Sequence, residues 1–335
     1  MPILIAGLPV LVVILAANLV TARGGERGRI AFHLALFFAN LVLLAAGLGL
    51  RFLPPNVLAL PETGLLLFDQ GLGSAGLIGM GLWGMAVCLK PVRQFLGRIL
   101  PSIDPESPVH TLALVSVGYL LGNAAISVSP DALDALADAH IEATLLDVIA
   151  QQFVFVLAAF LGVGLFTRRN GAELNARLGL ERPTWPQIWT GVRWMLFFVI
   201  LQGCIGAAWV LFDATGAEQT SSINQSLLGS FDTVQEWFLL AAAAGLGEEL
   251  LFRGALQPIF GILPVSIIFA VSHVQYGLSP ATLAVFLLSV VLGIIRKRSN
   301  TTVAILVHAG YNFILGLLSL LALYLESLMR QVPPP

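Results

Sequence analysis

The chain has 335 residues, 57% of them hydrophobic and 11% charged, with a mean hydropathy of +0.90. Soluble domains carry about a quarter charged residues, so this composition excludes a soluble globular chain, and its apolar content excludes disorder. Lys and Arg total 17 against 19 Asp and Glu, leaving no basic excess for nucleic acid, and 2 cysteines cannot build a disulfide framework or a Cys-rich zinc module.

A helix needs about 20 apolar residues to cross the hydrocarbon core. Ten stretches read as spans: 2–22, 30–50, 71–89, 109–128, 142–167, 190–212, 233–260, 261–277, 280–295 and 301–325. The pattern predicts an all-α, polytopic transmembrane helical bundle. The stretch 63–68 is too short to cross. Segment 2–22 lacks a basic leader and is followed by Arg23, Arg27 and Arg29, so it reads as a retained span rather than a cleaved signal.

The loops alternate in charge. Arg23, Arg27 and Arg29, then Lys90, Arg93 and Arg98, then Arg168, Arg169, Arg177, Arg182 and Arg193, then Arg296, Lys297 and Arg298 fall on one side. Loops 129–141 and 213–232 hold no basic residue and carry Asp131, Asp134, Asp138, Asp213, Glu218 and Asp232. Positive charge is retained on the cytoplasmic side, which places 14 of the 17 basic residues inside and both termini outside. Arg51 and Arg330 then face out, and Arg253 lies within a span. Loop 168–189 divides the chain into N-terminal spans, 1–167, and a second unit, 178–326. The Trp185-Pro186-Gln187-Ile188-Trp189 run at its end suits the headgroup layer.

An ionisable side chain at membrane depth costs about 3 kcal/mol or more and is a functional candidate by default. In the N-terminal half His33, Asn40, Asp147, Gln151 and Gln152 are scattered near span ends and read as interhelical hydrogen bonds. The C-terminal half is different. Span seven contains Glu248, Glu249 and Arg253, span eight contains Phe269 and His273, and span ten contains His308 and Asn312. At 1.5 Å per residue these groups reach overlapping depths, about 10–20 Å from the same end. Glu249 and Arg253 stand at i, i+4, within ion-pair reach. Glu248 is rotated about 100° away and is left to face a cavity as a general base. His308 and Asn312, also i, i+4, present donors for an oxyanion.

At these residues the sequence resembles the CPBP family of intramembrane proteases, also called type II CAAX prenyl endopeptidases or the Abi family. Its signature is Glu-Glu-x-x-x-Arg, Phe-x-x-x-His and His-x-x-x-Asn on separate helices. Here these are Glu248 to Arg253, Phe269 to His273 and His308 to Asn312, in the family's order, with Leu178-Gly179-Leu180 similar to the family's entry sequence. The resemblance extends over about residues 178–325 and implies a CPBP-type catalytic core. It implies that Glu248 and His273 activate a water, that His308 and Asn312 hold the oxyanion, and that Arg253 supports the site with Glu249.

The expected function is thus hydrolysis of a peptide bond in a membrane-associated protein or peptide, without a cofactor. The minority alternative is zinc held by Glu248, His273 and His308, with an open fourth position. A second alternative is a non-catalytic immunity or scaffold protein, or a transporter, using the same buried polar cluster. The expected partners are membrane lipid and a protein or peptide substrate, not nucleic acid. Two Lys against 15 Arg suggests a GC-rich bacterial genome, hence an inner-membrane protein whose site opens toward the cytoplasm.

Overall fold

The computed structural model describes residues 2–54, 69–127, 133 and 143–331. The stretch 63–68 and the acidic residues Asp131, Asp134 and Asp138 lie outside them. The described residues form an all-α bundle of α1 (Pro2–Arg23), α2 (Gly25–Phe52), α3 (Gln70–Cys88), α4 (Lys90–Ile99), α5 (Pro108–Ser127), α6 (Leu145–Val163) and α7 (Gly171–Leu178). It continues through α8 (Trp185–Phe212), α9 (Ala214–Leu228), α10 (Val234–Glu249), a π-helical segment (Leu250–Leu256), α11 (Gln257–Phe260), α12 (Ile262–Val271), α13 (Pro280–Arg298) and α14 (Thr301–Gln331). Eight of these, α1, α2, α3, α5, α6, α8, α13 and α14, are long and apolar enough to cross a membrane. The protein is an integral, polytopic membrane protein.

The two remaining expected spans differ from simple crossings. Span seven is broken into α10, the π segment and α11. The cause is Pro258: its ring has no N–H for the carbonyl of Gly254 and clashes with it in a regular helix. The chain widens to i→i+5 spacing, seen in the bond from the Gln257 amide to the Phe252 carbonyl. Arg177 of α7 donates to the Gly254 and Ala255 carbonyls at 2.8 and 3.2 Å. Burial, and then Arg169, Arg296 and Arg168 nearby, pull the Arg177 guanidinium down to about 10, so it stays cationic at neutral pH. Span eight is only the ten-residue α12, about 15 Å long, half the hydrocarbon thickness. The chain then leaves regular helix through one 3₁₀ turn, Val274–Tyr276, before α13 begins.

At the arginine-bearing end the bundle is filled. Ala159, Val163, Leu174, Leu178, Leu250 and Ala255 form one buried cluster there. Gly179 caps α7 in the left-handed conformation (φ 69°), and Thr301 at the start of α14 bonds the Leu178 and Gly179 carbonyls. The Trp185 and Trp189 rings at the start of α8 are exposed, as an interfacial belt requires.

Without a hydrophobic force between helices in lipid, small residues set how closely membrane helices approach. In α10, Gly245 faces α14 and Gly247 faces α6. A Cβ on Gly245 would lie 2.9 Å from the Ala309 amide nitrogen, and one on Gly247 would lie 2.8 Å from the Gln152 carbonyl oxygen. The Gly245-Leu246-Gly247 step therefore lets two backbones press on α10 just before its glutamates. Gly247→Val is expected to destabilise the protein by about 1–3 kcal/mol through overpacking. Gly49→Val, where a Cβ meets nothing within 4 Å, is the control and should leave thermal unfolding in detergent unchanged. Equal shifts for both variants would contradict this packing.

Candidate active site

The π segment turns Arg253 fully inward. Its Nε lies 3.2 Å from Glu249 Oε2, its Nη2 donates to Ser289 Oγ at 2.9 Å and to the Ser289 carbonyl, and its guanidinium carbon sits 4.6 Å from the centre of the Phe269 ring. Arg253 and Glu249 are both 0% exposed. Phe269 also packs edge-on against Phe252 with ring centres 5.0 Å apart.

Glu249 has a second partner. His308 Nδ1 lies 2.9 Å from Glu249 Oε1. A carboxylate only accepts, so Nδ1 carries the proton and donates it. The carboxylate thereby orients the imidazole and directs Nε2 at Glu248, whose Oε2 is 4.0 Å away, too long for a direct hydrogen bond. Glu248 Oε1 accepts from Gln152 Nε2 at 3.2 Å, while its Oε2 is buried with no hydrogen-bond partner among the described residues. The two adjacent glutamates thus occupy different surroundings, one locked between Arg253 and His308, the other at the edge of a cavity.

His273 follows the end of α12. Its Nδ1 donates to the Phe269 carbonyl at 2.8 Å, the i−4 position, which leaves Nε2 as the free ring nitrogen. The ring stacks nearly parallel to Tyr276, with centres 6.1 Å apart. Phe269 therefore serves both neighbours: its ring receives Arg253 and its carbonyl holds His273.

Glu248, His273, His308 and Asn312 all line one cavity of about 540 Å³. Within the described residues no three His, Cys, Asp or Glu side chains are grouped as a metal ion requires. Glu248, His273 and His308 share the cavity wall. The wall also includes Gln151 and Gln152 of α6, Tyr276, and Tyr311 beside Asn312. Gln152 is more than the packing group its sequence position predicts, because it donates to the Glu248 carboxylate. Two consecutive carboxamides in the apolar run of α6 were the available signal. His33, bonded to Thr111, and Asn40, bonded to Tyr119 and the Leu36 carbonyl, are structural as expected, and Asp147 sits in the Thr144 cap of α6.

The cavity has a direction along the bundle. On α14 its wall runs from His308 through Ser319 to Leu323, on α10 from Glu248 back to Trp237, on α13 from Leu288 back to Ala281, and on α6 to Val148. These are the helix ends away from Arg168, Arg169 and Arg296–Arg298. The end at the arginine loops is packed by the Leu178 and Leu250 cluster, and the cavity lining extends toward the other end.

Residues 230–314 match the family model described as type II CAAX prenyl endopeptidase Rce1-like. The chain carries a CPBP-family, Rce1-like endopeptidase domain. Every residue of the three polar motifs lies within the matched segment of that domain. No curated protein and no solved structure matches the chain. The domain supports intramembrane endopeptidase activity as the general class, in a lipid environment and on a peptide substrate.

Removing one partner of a buried ion pair leaves an uncompensated charge, costing about 3–5 kcal/mol. Arg253→Ala is expected to lose that much stability in detergent, measured by thermal or denaturant unfolding. A loss below about 1 kcal/mol, the value typical of an exposed pair, would contradict the buried network.

Proposed function

We propose that the protein is a glutamate-dependent intramembrane endopeptidase in which Glu248 is the general base. The observation that carries this reading is the pairing of environments at 248 and 249. Glu249 is consumed by Arg253 and His308, and Glu248 keeps a free carboxylate oxygen at the wall of a polar cavity that His273, His308 and Asn312 also line.

Glu248, with the free nitrogen of His273 as second acceptor, takes a proton from a water that attacks the peptide carbonyl. His308 Nε2 and the Asn312 amide donate to the oxyanion that forms. Nδ1–H is already given to Glu249, so Nε2 donates only when the ring holds both protons. The resulting imidazolium and Arg253 together balance the two glutamates. This arrangement is suited to a region where unpaired charge is expensive. Glu248 then returns its proton to the leaving amine. No step is routed through a metal.

General base catalysis contributes about 10²–10⁴-fold. Glu248→Gln, nearly isosteric, is expected to lower cleavage of a membrane peptide by that factor with unfolding unchanged, and wild-type cleavage is expected to survive chelators. Full activity in the folded Glu248→Gln variant would overturn the proposal, and loss of wild-type activity on chelation, restored by zinc, would replace it with a metal mechanism.

A further inference from the structure

The route to Glu248 has its own chemistry. From Glu248 to Trp237 along α10 is about 16 Å, and from His308 to Leu323 along α14 about 22 Å, at 1.5 Å per residue. An extended chain rises about 3.3 Å per residue, so this length takes about five to seven residues. The polar groups along it are uncharged, mostly carboxamides such as Gln152, Gln202, Asn224 and Gln275, joined by hydroxyls such as Ser221 and Tyr311. Among the described residues, no Asp, Glu, Lys, Arg or His lines it beyond the catalytic Glu248, His273 and His308.

α9 supplies one wall. Ser221, Asn224, Gln225 and Leu228 stand at i, i+3, i+4 and i+7, one helical stripe, and all four line the cavity. α9 connects the end of α8 to the start of α10, at the end of the bundle away from the arginine loops. Carboxamides offer both donors and acceptors without charge, which matches the alternating N–H and C=O of an extended backbone. They give no counter-charge to a Lys or Glu side chain drawn into a low-dielectric passage.

We infer that the substrate enters from the face opposite the arginine loops, the extracytoplasmic face by the distribution of basic residues, as an extended and uncharged segment of about five to seven residues laid along this carboxamide corridor beneath α9. The inference rests on the endopeptidase reading of Glu248, and deepens it by naming the side of entry and the class of segment accepted.

Two arms test it separately. Ser319 is exposed at the cavity mouth and Arg182 is exposed on the arginine face. Ser319→Cys and Arg182→Cys, each in a Cys88→Ala and Cys204→Ala background, are treated with a membrane-impermeant maleimide in right-side-out and in inverted vesicles. Ser319→Cys is expected to label in right-side-out vesicles, and Arg182→Cys only in inverted ones. Labelling of both from one side, or of Ser319→Cys from neither, overturns the entry route whether or not the protein turns over. In the second arm a fluorogenic peptide with an uncharged seven-residue stretch is compared with one carrying a central Lys and one carrying a central Glu. Both charged peptides are expected to be cleaved at least ten-fold more slowly, and equal rates overturn the selection for neutral segments. Failure of the wild-type protein to cleave any peptide counts against the endopeptidase reading, while the side of entry is still decided by labelling.

Discussion

The site depends on a charge buried where charge is costly. Arg253 and Glu249 are fully enclosed, and a membrane interior offers no water to either. They are sustained by each other, the Ser289 hydroxyl and carbonyl, the face of Phe269, and His308, while Arg253 Nη1 has no hydrogen-bond partner among the described residues. These contacts come from α10, the π segment, α12, α13 and α14. One ion pair therefore ties together the elements that carry the candidate catalytic groups. The same pair fixes the His308 ring, because the Glu249 oxygen not used by Arg253 holds Nδ1.

The backbone irregularities serve that arrangement. Pro258 breaks the seventh span, and Arg177 donates to the Gly254 carbonyl it leaves without an N–H and to the neighbouring Ala255 carbonyl. The short α12 ends just before His273, and the segment after it does not return to α-helix until Ser279 caps α13. Backbone outside a helix is tolerated at membrane depth only where protein buries it or a polar cavity borders it. His273, Gln275 and Tyr276 all line such a cavity, so the break in the helix and the polar chamber account for each other.

Much of this was legible in the amino-acid order. Hydropathy and length showed an all-α membrane bundle, and i, i+4 spacing predicted the Glu249–Arg253 pair and the divergence of Glu248. Three features were not legible. Gln152 stands 96 positions from Glu248 in the chain, and no local pattern links a carboxamide on α6 to a carboxylate on α10. The π segment was hidden because a proline four residues past a glycine is compatible with a simple kink as well as with a widened turn. The packing of one end of the bundle was not legible because depth counted along single helices locates polar groups but does not say which end is filled. That depended on Leu178 and Leu250 packing against α6, a contact between distant segments.

The account stands most directly on the state of the His308 ring. Nitrogen-15 NMR of histidine-labelled protein reads which ring nitrogens carry protons. The buried carboxylate of Glu249 requires a proton on His308 Nδ1, shifted downfield by its hydrogen bond, with that signature lost in Glu249→Ala. A wild-type His308 whose Nδ1 carries no proton would contradict the network on which the arrangement of the site is built.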